Sequence, residues 1–305
     1  MNSFHKRVIC RKDIPIPIEM RMRFAKKPQK HYLCRHKTQL AMELLKGKKG
    51  LITGVLNDKS IAWAVARTAV QEGAQIVMTN TAVANRLGQT ANLAAQLGCP
   101  LFEADATSLE DLDRLVDSTM EHFGGKFDFV LHSIGTSPNI RKHRAYSDLD
   151  YSLMGKTLDI SALSLHKMLQ TLYRKDALNE WGSVVALTYI AADRAVCGYN
   201  DMADAKALLQ SITRNFGVIY GSERHVRINT VSQSPTATTA GSGIEGMEKM
   251  LEWSNRVSPL GNASAQDCAD YVCTLFSDYT RMVTMQNLYH DGGFSTTALS
   301  PASME

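Results

Sequence analysis

The sequence lacks several features that would assign its 305 residues to a common structural class. No apolar run approaches the ~20 residues that a membrane-spanning helix needs. The six cysteines are scattered and form no C-x-x-C pair, so they predict reduced thiols in a cytosolic protein. The G-x-G-x-x-G fingerprint of many dinucleotide-binding domains is also missing. These absences disfavour an integral membrane protein, a disulfide-stabilised secreted protein and a zinc protein.

Positive charge is concentrated in the first 41 residues, which hold eleven lysines and arginines against Asp13 and Glu19. This segment carries a net charge of +9 and the whole chain +4, so residues 42–305 carry −5. A mildly acidic remainder without a basic stripe disfavours nucleic-acid binding. Three prolines and no sustained apolar period predict that residues 1–41 are a basic, disordered extension. A targeting peptide and a nucleic-acid-binding arm are the alternatives for this extension.

Strand-like apolar runs alternate with helical patterns about seven times within residues 42–305, and two of the predicted helices cover residues 83–97 and 149–173. This alternation predicts one α/β domain, a Rossmann-like doubly wound parallel sheet of about seven strands with helices on both faces. Ligands bind such sheets beyond the carboxyl ends of the strands. The residues that follow the predicted strands therefore predict a dinucleotide site: Gly54, Thr79–Thr81, Asp105, Ser133–Gly135, Tyr189 and Pro235–Thr238.

The turn after the first predicted strand has features of a phosphate-binding turn. Gly54 permits a tight turn, and Ser60 is placed to cap the following helix, whose N-terminus offers free N–H groups to a phosphate. An ordinary strand-turn-helix connection explains the same residues. After the second strand, Thr79-Asn80-Thr81 contains neither the acid that favours NAD nor the arginine that favours NADP. We expect NADH as the cofactor, with NADPH as the alternative.

Two tyrosines and a lysine lie where a predicted strand, residues 183–187, leads into a helical pattern. If the helix starts by Tyr199, Lys206 lies about 20° away around its axis and about 10 Å along it. Both side chains could then reach one ligand, as could Tyr189. An ammonium beside Tyr199 would also lower the pKa of its phenol. A core tyrosine and a solvated lysine would produce the same pattern.

The stretch from Thr238 to about Asn255 combines glycines with apolar residues at helical spacing. Met247, Met250 and Trp253 supply an apolar face. Such a face could close over a ligand as a lid, or it could belong to an ordinary helix that packs on the core.

Four motifs together resemble the bacterial enoyl-acyl-carrier-protein reductase family, which are divergent short-chain dehydrogenases/reductases. The resemblance runs from about Leu45 to about Ser295. Ordinary members of that superfamily carry Tyr-x-x-x-Lys, whereas Met202 stands four positions before Lys206 here and the tyrosine lies three residues earlier. The motifs are Gly54 with Ser60-Ile61-Ala62, His132-Ser133-Ile134-Gly135, Tyr189-(x9)-Tyr199-(x6)-Lys206 and His290-Asp291-Gly292-Gly293-Phe294-Ser295.

The resemblance implies reduction of the trans-2 double bond of enoyl thioesters on acyl carrier protein, with NADH or NADPH, in the last step of each fatty-acid elongation cycle. It also implies a cytoplasmic oligomer, a dimer or a homotetramer. The sequence offers two apolar-rich helices, 158–172 and 206–219, that could pair across subunits. Catalytic roles would fall to Tyr189, Tyr199 and Lys206, and both tyrosines would line the substrate pocket with Ser137 and Met202. The implied cofactor-binding residues are Gly54, Ser60, Ile61, Thr81, Asp105, Ala106, Ile134, Lys206, Thr236, Ala237, Thr238, Thr239 and Ala240.

Departures from the family pattern make the mouth of the site more polar. Thr136 follows Ile134-Gly135 where an aromatic residue is frequent, and the loop at 235–239 has additional threonines. These changes bear on chain-length preference. Two other interpretations are a carbonyl or alcohol reductase of the same superfamily, such as a 3-oxoacyl reductase, and a non-catalytic dinucleotide-binding regulator. The Tyr/Lys spacing disfavours the first, and retention of both tyrosines with the lysine disfavours the second.

Overall fold

The computed structural model describes residues 43–238 and 246–301. Strands in these ranges form one sheet: β1 (Lys49–Thr53), β2 (Gln75–Asn80), β3 (Leu101–Glu103), β4 (Phe127–His132), β5 (Leu178–Thr188), β6 (Arg227–Gln233) and β7 (Asn287–His290). Their order is β3-β2-β1-β4-β5-β6-β7, and every neighbouring pair is parallel. The predicted doubly wound parallel sheet is therefore confirmed. The predicted extension at residues 1–41 lies outside the described residues.

Helices cover both faces of this sheet. A π-helical turn, Asp159–Leu163, joins two of them, so the single helix predicted for residues 149–173 is a continuous run with one widened turn. None of the helices in the described ranges is long and apolar enough to cross a membrane. The helices are α1 (Ile61–Gln71), α2 (Ala82–Leu87), α3 (Thr90–Leu97), α4 (Leu109–Phe123), α5 (Pro138–Arg141), α6 (Tyr151–Leu158), α7 (Ser164–Arg174), α8 (Asp201–Arg224), α9 (Met247–Val257) and α10 (Ala265–Phe276).

Two apolar layers, one on each face of the sheet, form the core. Successive strand residues point to opposite faces, so Leu51 packs in one layer and Ile52 in the other. α4, α7 and α8 pack on the first face, as buried Leu209 illustrates, while α1 and α10 pack together on the second. Burial on both faces explains the apolar runs at the centres of β2 and β4, Ile76–Met78 and Phe129–Leu131. β6 is buried along its whole length although most of its residues are polar.

The chain reverses its direction of travel across the sheet between β1 and β4. It proceeds from β1 to β2 and β3 on one side, then returns to place β4 on the other side of β1. A side-chain hydroxyl ties the carboxyl ends of these strands together, because Thr53 Oγ1 donates to Leu131 O (3.0 Å) and accepts from Ser133 N (3.2 Å). The crevice at this reversal is where an open α/β sheet binds its ligand.

Glycine ends one predicted helix early. The helical pattern predicted over 83–97 is two helices, α2 and α3, separated at Gly88. A Cβ built on Gly88 would lie 2.6 Å from the carbonyl oxygen of Leu56. The backbone at position 88 therefore passes too close to the turn after β1 for a residue with a side chain. The turn after β1 is thus packed against the segment that follows β2.

Candidate active site

A cavity of about 420 Å³ opens at the carboxyl ends of the strands, beside the reversal between β1 and β4. It contains most of the residues that the sequence predicts for the site. Ala237 is not among the cavity-lining residues, and Thr239 and Ala240 lie outside the described residues. The predicted residues that line the cavity are Gly54, Ser60, Ile61, Thr81, Asp105, Ala106, Ile134, Ser137, Tyr189, Tyr199, Met202, Lys206, Thr236 and Thr238.

The turn after β1 forms one end of the cavity and requires glycine. Gly54 has a φ of +83°, and a Cβ there would lie 1.9 Å from Ser133 O, at the end of β4. Ser60 precedes α1 as predicted, but its side chain does not cap that helix. Its Oγ instead accepts hydrogen bonds from Leu56 N and Asn57 N, each at 3.1 Å. Ser60 therefore holds the turn in shape, and the N-terminus of α1 faces the cavity.

The side chains beyond β2 and β3 organise the neighbouring part of the cavity. Thr81 Oγ1 accepts from Ala84 N at 3.2 Å, which caps α2. The Asp105 carboxylate accepts from the backbone N–H and the hydroxyl of Thr107, both at 2.8 Å. Both predicted residues therefore support their own loops, and the part of each that faces the cavity is available to a ligand.

Lys206 lies buried on α8 with its ammonium directed at a strand end. Its Nζ donates to Leu187 O at 2.7 Å, and burial lowers its pKa to about 8. A Cβ built on Gly135 would lie 3.8 Å from this Nζ and 3.8 Å from Met202 Cε. A Cβ at these distances would make ordinary van der Waals contacts, so the loop after β4 lies beside Lys206 and Met202, and all three line the cavity.

The two tyrosines pack against each other, with ring centroids 4.8 Å apart and the planes tilted by 45°. Tyr189 follows β5, and its hydroxyl lies 3.3 Å from Met250 Sδ on α9. Tyr199 does not lie on a helix, contrary to the geometry assumed from its spacing to Lys206. α8 begins at Asp201, after Asn200 with a φ of +53°. Tyr189, Tyr199 and Lys206 still line one cavity, but Tyr199 reaches it from a turn that precedes α8 and not from the helix.

The expected lowering of the Tyr199 pKa by Lys206 is wrong. Burial raises the pKa of Tyr199, and its neighbour Tyr189 raises it further. Burial also raises the pKa of Tyr189 to about 12, with a smaller contribution from the charge of Asp291. Removing an ionisable phenol from water penalises the phenolate. Both side chains are therefore phenols near neutral pH and can donate a hydrogen bond to an oxygen on a ligand.

His132, in the motif after β4, is buried and does not serve as an acid. Ser164 Oγ donates its single proton to Ile160 O at 2.7 Å, so it accepts from His132 Nε2 at 2.8 Å. Burial and the charge of Lys206 lower the pKa of His132 to about 3. The imidazole is thus neutral and supports the packing behind the cavity.

Sequence reasoning missed much of the cavity wall. Apolar lining comes from Leu112, Ile140 and Met168, on three different helices, and the cationic Arg141 lies beside them. Met247 and Met250 also line the cavity, as the proposed apolar face of α9 predicts, whereas the side chain of Trp253 is exposed. The spacing of apolar residues along a helix indicates which of them are buried, but it does not show which of them border a cavity.

Comparison with known proteins finds sequences similar to this chain. A family model described as enoyl-(acyl carrier protein) reductase matches residues 54–295. The enoyl-[acyl-carrier-protein] reductase [NADH] 2 of Rhizobium meliloti is 34% identical over 259 residues, covering 84% of this chain and 94% of the relative. The enoyl-[acyl-carrier-protein] reductase [NADH] FabI of Rickettsia felis is 32% identical and covers 83% and 96%.

Solved structures of related enzymes are also similar to this chain. The crystal structure of a FabI–NADH complex from Alistipes finegoldii has a TM-score of 0.85 and 66% identity, covering 86% of this chain and 93% of that one. The enoyl-[acyl-carrier-protein] reductase (NADH) of Aquifex aeolicus has a TM-score of 0.78 at 29% identity and covers 84% and 100%. The family model, the sequence relatives and the similar structures together show that this chain belongs to the enoyl-(acyl carrier protein) reductase family.

Proposed function

We propose that this chain reduces the trans-2 double bond of enoyl thioesters carried on acyl carrier protein, with NADH as reductant. The observation that carries the proposal is the meeting of two neutral phenols and a buried lysine at one cavity. That cavity lies at the strand ends where an open α/β sheet binds a dinucleotide. The balanced reaction is enoyl thioester plus NADH plus a proton, giving the saturated acyl thioester and NAD⁺.

The residues around the cavity fit a dinucleotide. Gly54 and the N-terminus of α1 line the same end of the cavity, and the free N–H groups of a helix N-terminus suit a pyrophosphate. Lys206 would supply an ammonium for the ribose hydroxyls. Thr81 would lie beside the adenosine, and Thr236 and Thr238 would lie beside the nicotinamide. When bound, NADH supplies a hydride to the β-carbon of the substrate.

The chain's own residues act on the charge that develops during this reduction. Addition at the β-carbon places negative charge on the thioester oxygen as an enolate. Tyr199 donates a hydrogen bond to that oxygen, a contribution often worth about 3 kcal/mol per donor. Tyr189 packs against Tyr199 and borders the substrate, so it keeps the neighbouring phenol in place. Met202 and Ser137 line the space for the acyl chain.

Turnover of two short thioesters tests the proposal. Wild-type protein should oxidise NADH with crotonyl thioester and yield the butyryl product, and acetoacetyl thioester should give little turnover. The reverse preference would support the rival carbonyl reductase, in which the substrate carbonyl accepts the hydride. The absence of turnover with both would favour a dinucleotide-binding regulator.

The cofactor preference is a second expectation. The cavity wall near Thr81 is formed by Thr79, Asn80 and Ala84, which bring no cation to a ribose phosphate. A ribose phosphate against this wall would lose water without gaining a charged partner, a penalty of about 1–3 kcal/mol or more, so NADPH should have a KM at least about tenfold higher than NADH. Steady-state kinetics with each nucleotide at saturating crotonyl thioester measures this ratio. Equal KM values would contradict it.

The low pKa of Lys206 predicts that cofactor affinity depends on pH. Its pKa is about 8, whereas an ordinary lysine titrates near 10.5, so its charge is lost as the pH rises through about 8. The ammonium fraction falls from roughly nine tenths near about pH 7 to roughly one tenth near about pH 9. NADH should therefore bind severalfold more weakly at the higher pH, with proton uptake on binding. Fluorescence titration at both values measures this, and Lys206→Met should remove the dependence.

We further propose that the protein is a cytoplasmic homotetramer that receives its substrate from acyl carrier protein. Exposed apolar side chains on helical segments support self-association: Leu163 is 38% exposed, Val218 54% and Ile219 40%. These residues belong to the two segments, 158–172 and 206–219, that the sequence offers for pairing between subunits. Light scattering of the purified chain measures the mass of the assembly.

A further inference from the structure

A buried carboxylate near the cavity has no role in the reaction described above. Asp201, the first residue of α8, is 0% exposed. Its carboxylate accepts three side-chain hydrogen bonds, from Ser137 Oγ at 2.6 Å, Asn139 Nδ2 at 2.8 Å and Thr157 Oγ1 at 2.8 Å. A negative charge at a helix N-terminus is favourable. Three donors from two distant segments therefore converge on the start of the helix that carries Lys206.

The donors hold one wall of the cavity. Ser137 caps α5 by accepting from Ile140 N at 3.0 Å, and it lines the cavity. Its own proton goes to Asp201, so its hydroxyl offers no free proton to an acyl chain. Two residues earlier, a Cβ built on Gly135 would lie 3.8 Å from both Lys206 Nζ and Met202 Cε. A short segment that lies beside the lysine is thus anchored at its far end by the carboxylate.

We propose that Asp201 is a positioning residue for the reduction proposed above, on which this inference rests. By holding Ser137 and Asn139 against the start of α8, its carboxylate fixes the cavity wall 134–137 relative to Tyr199 and Lys206. Asp201 does not touch the substrate, and it acts through Ser137. Its loss releases the wall and the Ser137 hydroxyl together.

The test compares Asp201→Asn with Asp204→Asn. Asparagine has nearly the same shape as aspartate, but its amide NH₂ group is a donor and would face side chains that themselves donate hydrogen bonds. Asp204 lies in the same first turn of α8 and has the same charge, so its variant controls for the loss of negative charge at the helix start. We expect Asp201→Asn to lower kcat for crotonyl thioester roughly tenfold. The KM for NADH should stay within about threefold, since Lys206 keeps its bond to Leu187 O.

The number of NADH-binding sites separates a loss of kcat through misplaced residues from a loss through incomplete folding. The number of NADH-binding sites, from fluorescence titration, converts each rate into a kcat per site. Asp204→Asn should stay within about twofold of wild type. In a Ser137→Ala background, Asp201→Asn should cost less than in wild type, because the hydroxyl that it holds is already gone.

Each outcome decides the proposal. An unchanged kcat per site in Asp201→Asn, or an equal loss in Asp204→Asn, would overturn it while leaving the reduction itself intact. Absence of wild-type turnover would overturn the proposed function and this inference together. If Asp201→Asn does not fold, the isosteric Thr157→Val removes one donor and decides instead. A severalfold loss of kcat per site then supports the proposal and no loss overturns it.

Discussion

Tyr199→Phe is expected to lower kcat for crotonyl thioester by roughly 10²–10³-fold, the usual effect of removing one donor to a developing oxyanion. The phenol is the group that donates to the enolate oxygen. The ring itself remains, so the contact with Tyr189, at 4.8 Å between centroids, is preserved. The KM for NADH should change little, because this side chain acts on the substrate. Steady-state kinetics with both substrates varied measures the two effects separately.

A phenol elsewhere provides the matched control. Tyr146 is 61% exposed, and its hydroxyl lies 3.3 Å from both carboxylate oxygens of Asp204, away from the tyrosine pair. Tyr146→Phe should leave kcat within about twofold. A Tyr199→Phe protein with wild-type kcat would remove this tyrosine from the mechanism.

Lys206→Met should act mainly on the cofactor. The substitution removes the buried ammonium but keeps an unbranched side chain of similar length. Loss of a charged hydrogen bond, about 1.5–3 kcal/mol, corresponds to a KM for NADH raised by roughly ten- to a hundredfold. Thermal unfolding should show a retained fold, since burial already penalises the charged form of this lysine at neutral pH.

A surface lysine controls for the loss of charge. Lys175 pairs with Asp117 at 2.8 Å, and an ion pair of this kind contributes at most about 1 kcal/mol. Lys175→Met should leave both KM values unchanged. If Lys206→Met binds NADH as tightly as wild type, the lysine does not hold the cofactor.

The sheet could be predicted from the sequence because parallel strands buried on both faces are short apolar runs separated by helical patterns. The runs Ile76–Met78 of β2 and Phe129–Leu131 of β4 are the clearest examples. The ends of elements were less predictable. The break at Gly88 depends on how closely Leu56 O approaches, which is a tertiary contact. Local spacing carries no signal of such a contact.

The site was predictable where strand ends carry distinctive residues, and less so elsewhere. Tyr189 follows β5 and Gly54 follows β1, so topology alone brings them to one edge. The turn at Asn200 moves Tyr199 off the helix, and spacing cannot reveal a positive φ. Asp201 depends on partners 44 to 64 residues away in sequence, so no local pattern points to it.

The destination of the hydride tests the central claim most directly. Wild-type protein is supplied with NADH deuterated at the transferable position and with crotonyl thioester, and the product is examined by magnetic resonance. The proposed enoyl reduction predicts a butyryl thioester with deuterium at the β-carbon. Deuterium at the carbonyl-derived carbon, or an unlabelled and unreduced thioester, would contradict it.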